Sequence, residues 1–293
     1  MMHITLILPI YNDWQSLKIL LKQIEIVVKE TKYKFSVLLI NDNSSLENND
    51  QLNQNHFFKE VRIINLKKNV GSQKAIATGL KYISENTNEF GEKFIIMDSD
   101  GEDDPHKILD IISLLEKDNK QEVITLNRTL RKESFLFSIL YELHLFFTFL
   151  LTFNYIRFGN YSFLNLNALK NISDQGDLWF AYSAAINKFF NNRSKIIAPR
   201  KKRISGKSKM SYLNLFKHSV YIHAVYKKNI LYLYFFCTLI ILVFSILNTF
   251  SMYFAIIISL FILHLSLIYF LINKEEISFN KCLDNIMSIK NLK

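Results

Sequence analysis

Short apolar runs alternate with stretches of helical spacing through the first third of the chain. His3 to Ile10 is an apolar run that contains Pro9, and Trp14 to Glu30 then carries apolar residues at helical spacing. Phe35 to Ile40 is a second run, stopped by Asn41, Asp42, Asn43, Ser44 and Ser45. Val61 to Leu66 is a third, followed by a helical pattern from Gln73 to Ile83, and Lys93 to Met97 is a fourth, followed by one from Pro105 to Leu115. Continuous apolar strands separated by helices predict an α/β domain with a mostly parallel sheet covered on both faces. Ligands of such sheets gather beyond the carboxyl ends of the strands. Polar residues stand at those ends: Asn12 and Asp13, Asp42 and Asn43, Asn69 and Gly71, Asp98 and Asp100.

A different pattern governs the later part. From Ile230 to Ile272 there is no Asp, Glu, Lys or Arg, and Asn248, Thr249 and Ser251 separate two apolar runs. As helices, Ile230 to Leu247 and Met252 to Ile272 would be about 27 and 31 Å long, near the roughly 30 Å of a bilayer core. Lysines 207, 209, 217, 227 and 228 precede the first run, and Lys274 and Lys281 follow the second. The expectation is a multi-pass protein of the inner (cytoplasmic) membrane, its two spans forming a hairpin and its catalytic domain in the cytoplasm. Phe135 to Phe153 is also apolar but contains Glu142 and His144, the mark of an interfacial amphipathic helix over about 134–156. Domain boundaries follow: 1–229 catalytic, 230–272 hairpin, 273–293 cytoplasmic tail. The amino terminus opens directly into an extended pattern, so no cleavable signal is expected. Paired apolar helices pack within one chain or between copies, which leaves a homo-oligomer open.

The net charge of +10 raises a nucleic-acid partner. Many basic residues, however, lie beside the apolar runs or in the stretch from Arg200 to Lys209, where anionic lipid or a diphosphate is an equally good partner, and no nucleic acid is expected. A dinucleotide-binding sheet would want closely spaced glycines after its first strand, where Pro9, Tyr11, Asn12 and Asp13 stand instead. Cys237 and Cys282 have no metal-ligand spacing and suggest no bridge.

Chemistry concentrates after the fourth strand. Asp98, Asp100, Glu102, Asp103 and Asp104 crowd negative charge that a cation would relieve, and hard oxygen ligands favour Mg²⁺ or Mn²⁺ bridging a nucleotide diphosphate. Asp103 and Asp104 also suit a cap for the helix beginning near Pro105. Asp42 is placed to accept from a base or ribose, or simply to make a turn, and Lys74 to reach a phosphate or ribose. Arg200, Lys201, Lys202, Arg203, Lys207 and Lys209, broken by Ser205, Gly206 and Ser208, form a cationic loop suited to diphosphate, and Arg128 belongs to a smaller basic cluster.

The segments ILPIYND (Ile7 to Asp13), LLINDNS (Leu38 to Ser44), NVGSQKAIATG (Asn69 to Gly79), MDSDGEDDP (Met97 to Pro105) and PRKKRISGKSKM (Pro199 to Met210) resemble glycosyltransferase family 2. The likeness is to the branch of polyprenyl-phosphate glycosyltransferases and dolichyl-phosphate mannose synthases. It implies a GT-A fold and an inverting transfer of sugar from a nucleotide-diphosphate donor to a polyprenyl-phosphate lipid. It further implies that Pro9, Tyr11, Asp13 and Asp42 line the base pocket, that Asp98 orients the donor, and that Asp100 and Glu102 hold the metal. Arg128 would lie near the acceptor phosphate, with Arg203, Ser208 and Lys209 over the diphosphate. Here Glu102 replaces the glutamine of many relatives, and Asp42 is the one carboxylate of a turn that usually has two. A saccharide or glycolipid hydroxyl as acceptor, with Asp103 or Asp104 as base, and a non-catalytic membrane subunit are the alternatives.

Overall fold

The computed structural model describes residues 3–45, 57–129, 135–205, 212–247 and 252–292. The chain forms two compact units, one of Met1–Lys132, Arg157–Lys209 and Lys281–Lys293, the other of Glu133–Ile156 and Met210–Asn280.

In the first unit the apolar runs become strands β1 (His3–Ile10), β2 (Lys34–Asn41), β3 (Val61–Leu66) and β4 (Lys93–Ile96). Between and after them come α1 (Trp14–Val28), α2 (Ser72–Glu85) and α3 (Lys107–Lys117). Successive strand residues face opposite sides, so each run must be covered twice. Leu6, Leu8 and Ile10 join a core with Leu17, Leu20 and Ile24 of α1 and Ile108 and Ile111 of α3. Ile7 and Ile40 point the other way, towards Gly79 of α2. The 3.6-residue period of α1 buries Leu17, Leu20, Leu21, Ile24 and Val28 on one stripe.

Further along lie β5 (Val123–Thr129), β6 (Phe158–Asn165), α5 (Leu166–Ser173), α6 (Tyr182–Phe189), β7 (Ser194–Pro199) and β8 (Ile286–Asn291), with α4 (Phe135–Thr152) between β5 and β6 in the second unit. The sheet order is β7-β5-β6-β4-β1-β2-β3-β8. Pairs β1–β2, β1–β4, β2–β3 and β5–β7 are parallel, whereas β4–β6, β5–β6 and β3–β8 are antiparallel. The expected mostly parallel sheet is therefore corrected to a mixed one. Strands β6 and β8 carry interspersed polar residues and no continuous apolar run, so neither their existence nor their direction was legible. Strand β8 lies within the segment read as a tail.

Strand direction decides where the chemistry collects. β1 to β4 run the same way, and two antiparallel steps through β6 bring β5 and β7 into that direction too. The carboxyl ends of β1, β2, β4, β5 and β7 and the amino end of β6 thus share one edge. That edge presents Asp13, Asp42, the loop from Asp98, Arg128, the segment from Arg200, and Asn160.

The second unit comprises α4, α7 (Tyr212–Val225), α8 (Lys227–Leu247) and α9 (Met252–Asn280). A few polar contacts sit inside it: Ser219 Oγ is 2.7 Å from His144 Nδ1, and His264 bridges Tyr234 OH at 2.6 Å and His223 at 3.2 Å. Large apolar residues such as Tyr232, Phe235, Phe236, Leu263 and Phe270 remain exposed. Among the described residues one helix, Tyr253–Asn280, is long and apolar enough to cross a membrane. The stretch Lys227–Val243 qualifies only when joined to Leu215–Val225, from which it is bent by 84°. The expected two-span hairpin, and with it the multi-pass inner-membrane placement, is corrected accordingly: two uncharged runs supplied composition for two spans, but among the described residues one helix alone meets the requirement by itself.

Candidate active site

The loop after β4 is built from carboxylates that do not point alike. Continuing the β4–β6 register from Ile96↔Ser162 by two residues sets Asp98 opposite Asn160. Asn160 donates from Nδ2 to Asp98 Oδ1 at 2.8 Å, while Arg128 Nη2 donates to Asp98 Oδ2 at 3.2 Å and to Asp103 Oδ1 at 3.4 Å. Asp103 turns back into the loop and accepts the Asp98 backbone N–H at 2.9 Å. Burial pushes its carboxyl up to about 6, against the pull of Arg128. Burial also works against the Arg128 charge, but Asp103 and Asp98 outweigh it and hold that pKa above the ordinary value. Gly159 leaves room for the guanidinium, since a Cβ there would stand 2.5 Å from Arg128 Cζ.

A basic strap, Arg200 to Ser205, lies across the same loop. The backbone N–H of Lys201 donates to Glu102 O at 2.8 Å and that of Ile204 to Asp100 O at 3.0 Å. Arg200 pairs with Glu102, Lys201 with Asp104 at 2.8 Å, and Arg203 with both Asp13 and Asp100, the latter at 3.0 Å. Ser205 Oγ reaches Ser16 Oγ on α1 at 2.7 Å. Burial, then the neighbouring Asp98, pushes the Asp100 carboxyl up to about 7. Among the described residues, six carboxylates (Asp13, Asp98, Asp100, Glu102, Asp103, Asp104) thus face four basic side chains, and burial first, with Asp98 second, sets the raised pKa of Asp100.

Of the residues expected from sequence, Asp13, Asp98, Asp100, Glu102, Arg128 and Arg203 come together. Asp42 is buried at the neighbouring strand end, its two oxygens accepting the backbone N–H groups of Val70 at 2.7 Å and Gly71 at 2.8 Å. It braces the loop leading into α2, a contact distant in sequence and not a local turn. Pro9 is buried at the end of β1 and Tyr11 is exposed just beyond it. Lys74 lies over the Trp179 ring at 5.3 Å. Ser208 and Lys209 lie outside the described residues. Asp103 and Asp104, the candidate bases, are engaged by Arg128 and Lys201. Sequence reasoning missed Asn160 and Gln73, whose Nε2 donates to Asn160 Oδ1 at 2.9 Å while its Oε1 accepts the Tyr182 N–H at 2.8 Å. Neither stood out in the sequence: Asn160 is one of several polar residues of β6, and Gln73 lies at the start of α2.

Among the described residues no cluster of three or more His, Cys, Asp or Glu has the arrangement of a metal cage. Asp100 and Glu102 instead offer the hard oxygens of a site that takes its remaining coordination from a ligand, and the negative surplus around them fits a divalent cation.

An uncharacterized glycosyltransferase of Bacillus subtilis, YkcC, is 27% identical over 129 residues, covering 44% of this chain and 38% of its own length. The undecaprenyl-phosphate 4-deoxy-4-formamido-L-arabinose transferase of Pseudomonas savastanoi is 28% identical over 117 residues, 39% of this chain and 33% of that protein. The chain's match thus spans about a third of these curated relatives. The crystal structure of Mycobacterium tuberculosis glucosyl-3-phosphoglycerate synthase with Mn²⁺, uridine-diphosphate-glucose and phosphoglyceric acid shares the fold, with a TM-score of 0.51 at 10% identity, covering 78% of this chain and 80% of that one. The sheet is accordingly a GT-A fold. The family model for glycosyl transferase family 2 matches residues 5–189, which takes in β1 through α6 and the whole carboxylate loop, and the chain belongs to that family.

Proposed function

We propose that this chain is a divalent-cation-dependent enzyme that transfers a sugar from a nucleotide diphosphate to a hydroxyl-bearing acceptor such as a saccharide or glycolipid. The observation that carries it is the set of carboxylates from Asp98 to Asp104 at one strand end, interleaved with Arg128, Arg200 and Arg203. When bound, a Mg²⁺ or Mn²⁺ held by Asp100 and Glu102 would offset charge on the departing diphosphate. Arg200 and Arg203 supply bidentate donors suited to phosphate oxygens. Asp98, fixed from two sides by Asn160 and Arg128, orients the sugar, and Pro9, Tyr11, Asp13 and Asp42 border the base. As the hydroxyl oxygen bonds to the anomeric carbon and the diphosphate leaves, the hydroxyl proton passes to a carboxylate of the loop, for which Asp104 is more exposed than Asp103, and positioning and charge stabilisation supply the rest of the rate. The acceptor reading is supported by the structural likeness to a synthase crystallised with phosphoglyceric acid.

A second reading, a polyprenyl-phosphate acceptor, is favoured by the 28% identity to an undecaprenyl-phosphate transferase. Its attacking oxygen would already be anionic, which suits a site whose Asp103 and Asp104 are both engaged. Full-length protein incubated with a panel of nucleotide sugars and Mn²⁺ or Mg²⁺, offered phosphoglyceric acid, oligosaccharides or undecaprenyl phosphate, separates the two by product mass. Transfer to a hydroxyl supports the first, and transfer to lipid phosphate alone replaces it with the second. No transfer from any donor removes the catalytic reading in favour of a non-catalytic subunit. Undiminished transfer by folded Asp100→Ala would sink the metal assignment.

A further inference from the structure

Asp100 uses its two oxygens differently. Oδ1 accepts the backbone N–H of Glu102 at 3.0 Å and is committed to the loop, whereas Oδ2 holds Arg203 Nη1 at 3.0 Å. Oδ2 is therefore the oxygen a metal ion would take, and a guanidinium stands on it. The other end of the same guanidinium pairs with Asp13, and Nε donates to Ser205 O at 2.9 Å, so Arg203 is fully engaged with its side chain 13% exposed. Glu102 repeats the arrangement with Arg200.

We infer that Arg203 is an exchangeable counterion, which bridges Asp13 and Asp100 and so occupies the metal-facing oxygen of Asp100 until a divalent ion arrives with a nucleoside diphosphate, then releases Asp100 to the ion and pairs with the diphosphate. The inference rests on the transferase reading and adds a coupling to it. An ion arriving alone must displace Arg203 from Asp100 and leave one end of a half-buried guanidinium without its carboxylate, with Asp13 holding the other end. A diphosphate arriving alone meets Arg203 already neutralised by Asp13 and Asp100. Arriving together, the ion satisfies the carboxylates and the diphosphate satisfies the arginine. Each ligand then raises the affinity for the other by the same factor, as linkage requires. The strap's backbone bonds to Asp100 O and Glu102 O and the Ser16–Ser205 contact keep Arg203 within reach throughout.

The test is direct Mn²⁺ binding to the full chain at pH 8, read by loss of the free-ion electron paramagnetic resonance signal, without and with UDP, GDP, CDP or ADP. Wild type should bind Mn²⁺ weakly alone and, with the accepted diphosphate, about tenfold or more tightly. Arg203→Gln should bind Mn²⁺ alone about tenfold more tightly than wild type and lose most of the enhancement by diphosphate. Arg203→Lys, which keeps the charge but not the fork, should fall between, and it carries the test if the glutamine variant does not fold. Mn²⁺ affinity in the absence of nucleotide that is unchanged or weakened in a folded variant overturns the exchange, even where Mn²⁺ and diphosphate bind wild type together. Failure of wild type to bind Mn²⁺ with any of the four diphosphates overturns the transferase reading itself.

Discussion

Asn160 holds Asp98 from the next strand, Nδ2 to Oδ1 at 2.8 Å, and Gln73 in turn holds Asn160. Because Gln73 is anchored to the backbone of Tyr182, the orientation of Asp98 is set by α2 and the start of α6 as well as by its own loop. Replacing Asn160 by Ala leaves Asp98 only its Arg128 contact. A side-chain bond to a charged group is worth about 1.5 kcal/mol or more, so kcat should fall at least roughly tenfold. Donor KM should change less. Gln73→Ala should act through the same path, so the double variant should lose little more than Asn160→Ala alone. Steady-state rates for the three proteins check this, and fully additive losses would break the proposed chain of contacts.

Gly159 makes a different demand, for space. An added Cβ would lie 2.5 to 2.7 Å from the guanidinium carbon and both terminal nitrogens of Arg128. Gly159→Ala should therefore push Arg128 off Asp98 and Asp103 without removing any charge. Overpacking and a partly uncompensated Asp103 together should cost about 2–4 kcal/mol of stability, with a loss of activity. Denaturant unfolding and a rate assay measure both, and a variant matching wild type in each would show that Arg128 has room to spare.

Continuous apolar runs revealed β1 to β4 because strands buried on both faces need no polar alternation. The carboxylate loop followed from its place after β4. What stayed hidden depends on contacts distant in sequence. Asp42 reads the same whether it meets a nucleotide or, as here, two backbone N–H groups nearly thirty residues away. Asn160 gains its meaning only from the antiparallel β4–β6 register, and β8 only from pairing with β3. The strap was visible as a cluster of positive charge, but nothing in its composition shows that Arg203 lies on Asp13 and Asp100. Apolar composition likewise suggested two spans, where among the described residues one helix is long and apolar enough by itself.

His3 offers a pH test away from the site. Its Nε2 lies 2.8 Å from Ser36 Oγ, and burial, helped by Lys59, lowers its pKa below 6.5. The unfolded chain thus takes up this proton more readily, and stability from His3 is lost as pH falls through about 6.5 towards the folded value. Asp100 and Asp103 act with opposite sign: their folded pKa values of about 7 and 6 mean that the native state binds protons first, so the same descent relieves a penalty. Comparing wild type with His3→Gln cancels the carboxylates. Urea unfolding at pH 7.5 and 5.5 should show the variant gaining on wild type at the lower pH. An equal change in both proteins would mean that His3 does not carry a depressed pKa.

The strap and the loop meet at Gly101 and Ile204, where two separable costs can be distinguished. Gly101 has φ +80°, a conformation that costs a non-glycine residue about 1 kcal/mol, and its missing Cβ would lie 2.3 Å from Ile204 Cδ1. Gly101→Ala should bear both the backbone strain and the displacement of Ile204, about 2–4 kcal/mol together. Ile204→Ala alone removes a half-buried side chain packed against the core, at about 1–2 kcal/mol. In the double variant the steric conflict is gone while the strain persists, so the losses should fall short of their sum by about 1 kcal/mol or more. The single Gly101→Ala variant should also raise the KM for the nucleotide sugar, because moving Ile204 moves Arg203 beside it, and Ile204→Ala should restore part of that loss. Strictly additive stabilities together with an unaltered KM would mean that the strap does not rest on the loop in the working enzyme.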